Sequence, residues 1–405
     1  MQSVILKNFN LINAVSTNAI PDTSIKIENG RITDLAFKGN LIDPKKSTVI
    51  DLRGSWLLPG LWDVHVHLMF PDPPPTSIAE RVIKYGRNAT EGIIQGGVTS
   101  IRTAGTEEWI DVAWRESFDS GESIGPRIFA SGYFLTTTAG HGKRHPFTRQ
   151  LDGPVEFIRG VREQIMHGVD QIKLNLSGGI MGPEWDRHWH NFLLQNEIEA
   201  AFDVCHQRDM PIMSHATNPE AVKDAIRLGT TSVEHGYIMD DECIKMMLDT
   251  HTVYVPTLGI SHLTPNQITT EWESDYLKRR NISNEMLMRA DAASEEHGKW
   301  FRNALDAGVP MALGSDLGPI KDAVHLEMAL WIRNGATPIQ AIKAATITSA
   351  QLCGVGDKLG SVEIGKLADL IVVKSNPLEN INHLRTILMV LKEGRIITNQ
   401  LSSNF

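Results

Sequence analysis

Between residues 55 and 316, short apolar runs alternate with longer stretches of helical period. This alternation leaves the chain few architectures to fold into. The runs are WLLPGLWDVHVH, GVTSIRTA (97–104), PRIFASGYFL (126–135), VDQIKLNLSG (169–178), PIMSHA (211–216), TSVEHGY (231–237), TVYVPTL (252–258) and VPMALGSD (309–316). Each reads as a buried strand bounded by turn residues. Helical stretches such as IAERVIKYGRNATEGIIQ, VEFIRGVREQIMHG, EIEAAFDVCHQRD, PEAVKDAIRLG and DECIKMMLDT lie between them. Eight such units predict an α/β fold, a TIM-type (β/α)8 barrel with its chemistry at the C-terminal strand ends. Two more helices follow, KDAVHLEMALWIRNG and TPIQAIKAATITSAQLCG, the second with Thr337 as N-cap and Pro338 as N1.

The two ends of the chain read differently. SVILKNFNLI, TSIKIENGRITDLAF and STVIDLRG alternate apolar and polar residues, and Glu28-Asn29-Gly30 is a hairpin signal. The tail returns to this pattern in GSVEIGKLADLIVVKS and ILMVLKEGRIITN. We therefore expect residues 1–56 plus 357–405 to form a small composite β-sandwich domain, and residues 57–356 to form the barrel.

Composition excludes some classes of function. The net charge is -9, from 39 basic and 48 acidic residues, and no basic block offers a nucleic-acid surface. Cys205, Cys243 and Cys353 are scattered and imply no disulfide framework. No signal pattern opens the chain and no run of about 18 apolar residues spans a membrane. The expectation is a cytoplasmic protein that binds a small-molecule substrate, engages neither nucleic acid nor membrane, and assembles as a homo-oligomer.

Polar residues mark the expected catalytic rim. His65 and His67 stand two apart on a strand, so their imidazoles share a face. Imidazole is the commonest protein ligand for zinc and similar ions. Asp63 falls on the same face, either as a partner of the histidines or as the end of the apolar run. Lys173 in QIKLNLSGG, His215 in MSHA, His235 in VEHG and Asp316 in LGSD occupy the ends of other strands. A lysine partly desolvated among cations has a depressed pKa, and its neutral amine can take up carbon dioxide to become an anionic carbamate.

With the N-terminal β segments, LPGLWDVHVHL and GSVEIGKLADLIVV, these motifs resemble the amidohydrolase superfamily over nearly the whole chain. The resemblance is narrower to its imidazolonepropionase-like and prolidase-like metal-dependent members. It implies two divalent metal ions. One would take His65, His67 and Asp316, the other His215 and His235, and carboxylated Lys173 would bridge them. Zinc is the expected ion, with manganese, cobalt and iron left open. A hydroxide held between the ions would attack an amide carbonyl, with Asp316 as general base and then acid. The expected substrate is a dipeptide or N-acyl amino acid. A cyclic amide, an organophosphate or a lactone is an alternative, as is a non-catalytic binding role on the same fold.

Further rim residues are assigned more loosely. His141 in TTTAGHGKRH is placed as a donor to the developing oxyanion. Tyr237, two residues after His235, and Arg144 are placed as substrate contacts, suited to a carboxylate. Trp185 and Trp189 in the loop 181–192 form either a substrate wall or a cover for the barrel. His188 and His190 read as surface, and His262, His297 and His325 as structural.

Overall fold

The computed structural model describes residues 3–38, 47–69, 77–280 and 282–401. Residues 1–2, 39–46 and 402–405 of the expected terminal unit lie outside the described residues. The first strands are β1 (Ser3–Leu11), β2 (Ile20–Glu28), β3 (Arg31–Phe37), β4 (Ser47–Asp51) and β5 (Trp56–Pro59). Then come β6 (Leu61–Val66), β7 (Val98–Thr103), β8 (Arg127–Phe129), β9 (Phe134–Thr136), β10 (Thr148–Gln150), β11 (Ile172–Asn175), β12 (Ile212–Ala216), β13 (Ser232–His235) and β14 (Val253–Val255). The last are β15 (Leu370–Val373), β16 (Ile387–Lys392) and β17 (Arg395–Asn399).

One sheet joins the two ends of the chain. Its order is β17-β16-β15-β5-β1-β2-β3, with β4 paired to β1. Asn29 and Gly30 turn the β2–β3 hairpin with positive φ at both positions, as the turn signal predicts. Leu6, Phe9, Ile25, Leu57, Leu370 and Leu391 share the buried core of this sheet.

The run WLLPGLWDVHVH is two strands rather than one. β5 pairs with β15 and β1 in the terminal sheet, whereas β6 pairs with β7. Gly60 separates them, and a Cβ there would lie 2.2 Å from Thr99 Oγ1, so only glycine passes at this point.

The central strands are all parallel, in sheets ordered β6-β7-β8 and β10-β9-β11-β12-β13-β14. PRIFASGYFL also divides, into β8 and β9. The segment 309–316 is not a regular strand. It makes one bridge, Tyr254 to Met311, and lies between β14 and β6 through Ala312 N to Tyr254 O, Val64 N to Leu313 O and Asp316 N to His65 O. Gly314 explains the close packing, because a Cβ there would meet His65 Cβ at 2.6 Å. At the other seam Asp170 N and Gln171 N donate to Ala130 O. Individual bonds thus cross both seams, while the strand ladders do not close into a barrel.

Helices follow most of these strands: α1 (Ile78–Gly96), α2 (Ile110–Ser120), α3 (Gly153–Met166), α4 (Gln195–His206), α5 (Pro219–Arg227), α6 (Asp241–Thr250), α7 (Gly259–His262), α8 (Glu271–Arg279), α9 (Asn284–Ala307) and α10 (Ile320–Arg333). Thr337 caps the last helical stretch in a capping box with Gln340, and Pro338 opens it. A π-helical turn over Ala344–Thr348 interrupts this stretch, and the Ala344 carbonyl accepts Leu313 N–H from the irregular eighth segment. No helix among the described residues is long and apolar enough to cross a membrane.

Candidate metal centre and active site

A cavity of about 1000 Å³ opens at the C-terminal strand ends. His65, His67, Lys173, His215, His235 and Asp316 all line it, together with His141, Arg144 and Tyr237. These nine residues, singled out from six separate stretches of sequence, share one space.

The imidazoles are arranged alike. His65 Nδ1 donates to Glu234 Oε2 at 2.7 Å, and His67 Nδ1 faces the Gly105 carbonyl at 3.4 Å. His235 Nδ1 bonds Thr257 Oγ1 at 2.7 Å, and His215 Nε2 faces the Gly178 carbonyl at 3.1 Å. Each ring therefore engages a protein oxygen through one nitrogen and keeps the other for the centre, the arrangement expected of oriented metal ligands. Ring centroids lie 4.8 Å apart for His65 and His235 and 4.4 Å apart for His215 and His235. Asp316 Oδ1 stands 3.4 Å from His67 Nε2 and 3.8 Å from His65 Nε2. Ligand atoms of His65, His235 and Asp316 lie within 4.8 Å of one another, close enough to share one cation.

Burial keeps the four imidazoles neutral. It brings His65 down to about 4 and holds His67, His215 and His235 well below the usual imidazole range. Burial also brings the Lys173 ammonium down to about 8 and raises the Asp316 carboxyl to about 7. Lys173 is 2% exposed, and its Nζ has no hydrogen-bond partner. A buried orphan amine is costly, so this atom is unfinished without a further group. Four imidazoles, one carboxyl group and an amine without a hydrogen-bond partner form a donor set that fits divalent cations.

Backbone geometry aims two of these groups. His235 and Asp316 end their segments with φ of 72° and 52°, a left-handed conformation that costs about 1–3 kcal/mol in a residue with a side chain.

Glu234, Arg102 and Asp186 escaped the sequence reading, whereas Asp63 was read there as a partner of the histidines or the end of the apolar run. Glu234 and Arg102 are fully buried, with Arg102 Nη2 donating to Glu234 Oε1 at 2.8 Å, and they support His65 from inside the strand ring. Asp63 supports from below: it accepts His65 N–H and both Ser315 N–H and Oγ–H, fastening β6 to the segment that carries Asp316. Asp186 accepts from His141 Nδ1 at 2.8 Å, and the His141 ring stacks on His215 with centroids 4.2 Å apart. Acidic residues buried among apolar neighbours, as in TSVEHGY, were the available signal for Glu234; Asp186 sits in a polar loop and gave none.

The remaining assignments separate cleanly. Trp185 lines the cavity under the Lys143 ammonium, 3.9 Å from its ring centre, whereas Trp189 is 59% exposed. Tyr237 is buried, stacks on His235 and meets the His297 ring edge-on. His297 and His262 both bond Ser261 Oγ, and His325 bonds the Gly96 carbonyl, which are structural roles.

The amidohydrolase family profile matches residues 56–397. The chain belongs to the amidohydrolase family. Ochratoxinase from Aspergillus niger is 29% identical over 401 residues, covering 90% of this chain and 79% of that protein. Imidazolonepropionase from Pseudomonas putida strain F1 is 24% identical over 387 residues, covering 87% and 88%. A crystal structure of a Xaa-Pro dipeptidase with methionine bound in its active site superposes with a TM-score of 0.85 at 29% identity, covering 98% of this chain and 99% of the other. The family is generally metal-dependent and built on a TIM-barrel-type fold, and its members named here hydrolyse amide bonds.

Proposed function

We propose that the chain is a binuclear, zinc-dependent hydrolase of the amide bond in a dipeptide or N-acyl amino acid. The observation that carries this reading is the buried, unpartnered Nζ of Lys173 among four neutral imidazoles. His65, His67 and Asp316 would hold one ion and His215 and His235 the other, with Lys173 bridging as its carbamate. The carbamate forms when the neutral amine bonds the carbon of carbon dioxide and releases a proton. When bound, the ions supply Lewis acidity toward the substrate carbonyl and acidify water.

The chain's own groups do the rest. Asp316 removes a proton from the attacking water and returns it to the nitrogen of the leaving amine. His141 donates to the oxygen that gains charge, held in place by Asp186 at its other nitrogen. Tyr237 and Arg144 line the same cavity and contact the substrate. The bound methionine of the Xaa-Pro dipeptidase structure supports an amino-acid-sized ligand. Three free thiols support a reducing, cytoplasmic setting.

The test is a hydrolysis screen over dipeptides and N-acyl amino acids with metal-reconstituted protein, alongside elemental analysis. Turnover with about two ions per chain is the expected result. A fully metallated protein that cleaves no amide in the library overturns the reading.

A further inference from the structure

The cavity holds a cation that the proposed chemistry does not use. Arg280 follows α8 and lines the cavity beside Asp316, Leu317 and Gly318. Its backbone N–H donates to the Leu277 carbonyl and closes the helix. Its guanidinium is half-buried, and among the described residues it has no hydrogen-bond or ion-pair partner. The other arginines of this rim differ. Arg289 bonds the Gly182 carbonyl and Glu285, while Arg144 is exposed to solvent. Among the described residues, the groups whose fields act on Arg280 are Tyr276 and the carboxyl of Asp316. A partly desolvated planar fork of five donors with no acceptor is built to receive an anion, and a carboxylate matches its geometry.

Strand order fixes which half of a substrate would meet it. In the sheet ordered β10-β9-β11-β12-β13-β14, Phe134, His141, Phe147 and Trp185 belong to β9 or to loops at that end. Ile260, Arg280 and Met286 follow β14, at the opposite end, and Leu317 follows Asp316. Asp316 is the group that would protonate the leaving amine. An anion held by Arg280 is therefore on the amine half of the amide, beside the apolar side chains of Ile260, Met286 and Leu317.

We infer that Arg280 is a specificity-determining residue that binds the α-carboxylate of an amino-acid leaving group, and that Ile260, Met286 and Leu317 receive a bulky apolar side chain of that same amino acid. This inference rests on the amide-hydrolase reading above. The aromatic wall of Phe134, Phe147 and Trp185 then faces the acyl half.

The experiment compares the wild type with Arg280→Met and Arg280→Lys, each metal-reconstituted and checked for metal content and circular dichroism. Kinetics use N-acetyl-L-phenylalanine against N-acetylphenethylamine, which lacks only the carboxylate. Calorimetry uses 3-phenylpropanoate against 3-phenylpropanamide. The expected result is a KM for N-acetyl-L-phenylalanine about 10–100-fold higher in Arg280→Met, with 3-phenylpropanoate binding weakened by a similar factor. Arg280→Lys should fall between, and the two uncharged compounds should not change. Equal losses for charged and uncharged compounds, or no loss for either, overturn the assignment, as does a wild type that does not bind 3-phenylpropanoate. A wild type that cleaves neither acetyl compound, while the variants still lose 3-phenylpropanoate binding, upholds Arg280 as the carboxylate site; the amide-hydrolase reading then falls separately if the dipeptide and N-acyl amino acid library is not cleaved either.

Discussion

Glu234 Oε2 lies 2.7 Å from His65 Nδ1, and both side chains are buried. The other oxygen of Glu234 accepts from Arg102 and from Ser232 Oγ, at 2.8 Å and 2.5 Å. Arg102 in turn donates through Nε to the Val64 carbonyl, one residue before His65. The carboxylate thus fixes the tautomer of His65, and the guanidinium fixes the carboxylate. The field of Arg102 and the bond from His65 outweigh burial and hold Glu234 down to about 2.

Glu234→Gln should weaken metal retention by about 10–100-fold, because the amide cannot orient His65 with the same charge. Metal titration against a chelator checks this. A variant that folds and binds metal like the wild type would place the ligand orientation elsewhere. Some loss of thermal stability is expected too, since Arg102 is left buried without its counter-charge.

Asp186→Asn should lower kcat by at least about tenfold, short of the ~10²–10³-fold cost of losing an oxyanion donor outright. KM and metal content should stay near wild type, since Asp186 touches His141 and the Gly179 N–H but none of the proposed ligands. A rise in KM with unchanged kcat would assign the loop to substrate binding alone.

Lys173→Ala should remove the bridge and most activity, and short carboxylic acids added to the variant should restore part of both. Wild-type protein equilibrated with ¹³C-labelled bicarbonate should show a carbamate carbon resonance that the variant lacks. An active, fully metallated wild type without that resonance contradicts the prediction.

Glu327 gives a pH test away from the metal groups. Its carboxylate accepts Leu258 N–H, Gly259 N–H and Trp331 Nε1–H, yet burial raises its pKa to about 8. The folded chain therefore keeps a proton that the unfolded chain releases near pH ~4.3. The stabilisation is complete below that value and is lost as pH rises through about 8. Urea melts of wild type and Glu327→Gln should differ by an amount that shrinks from about pH 5 to about pH 8. A difference independent of pH would show an ordinary carboxylate at this position.

The groups that would carry the chemistry were legible because strands force them into view. A lysine, an aspartate and four histidines at apolar strand ends have few other reasons to be there, and all six line the cavity. Backbone irregularity was not legible. The split at Gly60 and the unzipped segment 309–316 depend on close approaches to Thr99 and His65, contacts made by residues distant in sequence. The same reason hid the supporting residues. Asp186 reaches His141 across 45 positions and Glu234 reaches His65 across 169, distances over which local pattern carries no information. Arg280 sits in a run of charges, LKRRN, where nothing marks one guanidinium as turned inward.

The loop 181–192 does two jobs with adjacent residues. Trp185 forms cavity wall, and Asp186 beside it holds His141. Gly182 is tied down by Arg289 of α9, and a Cβ on Gly179 would collide with the His141 ring at 2.6 Å. Substrate range and turnover are therefore inherited together. Transplanting a relative's loop to change what the cavity accepts would also replace Asp186, the anchor of the proposed oxyanion donor His141, so on that reading specificity in this chain is not a detachable module. Redesign has a freer hand at the opposite rim, where the side chains of Ile260 and Met286 line the cavity away from the proposed catalytic groups in sequence.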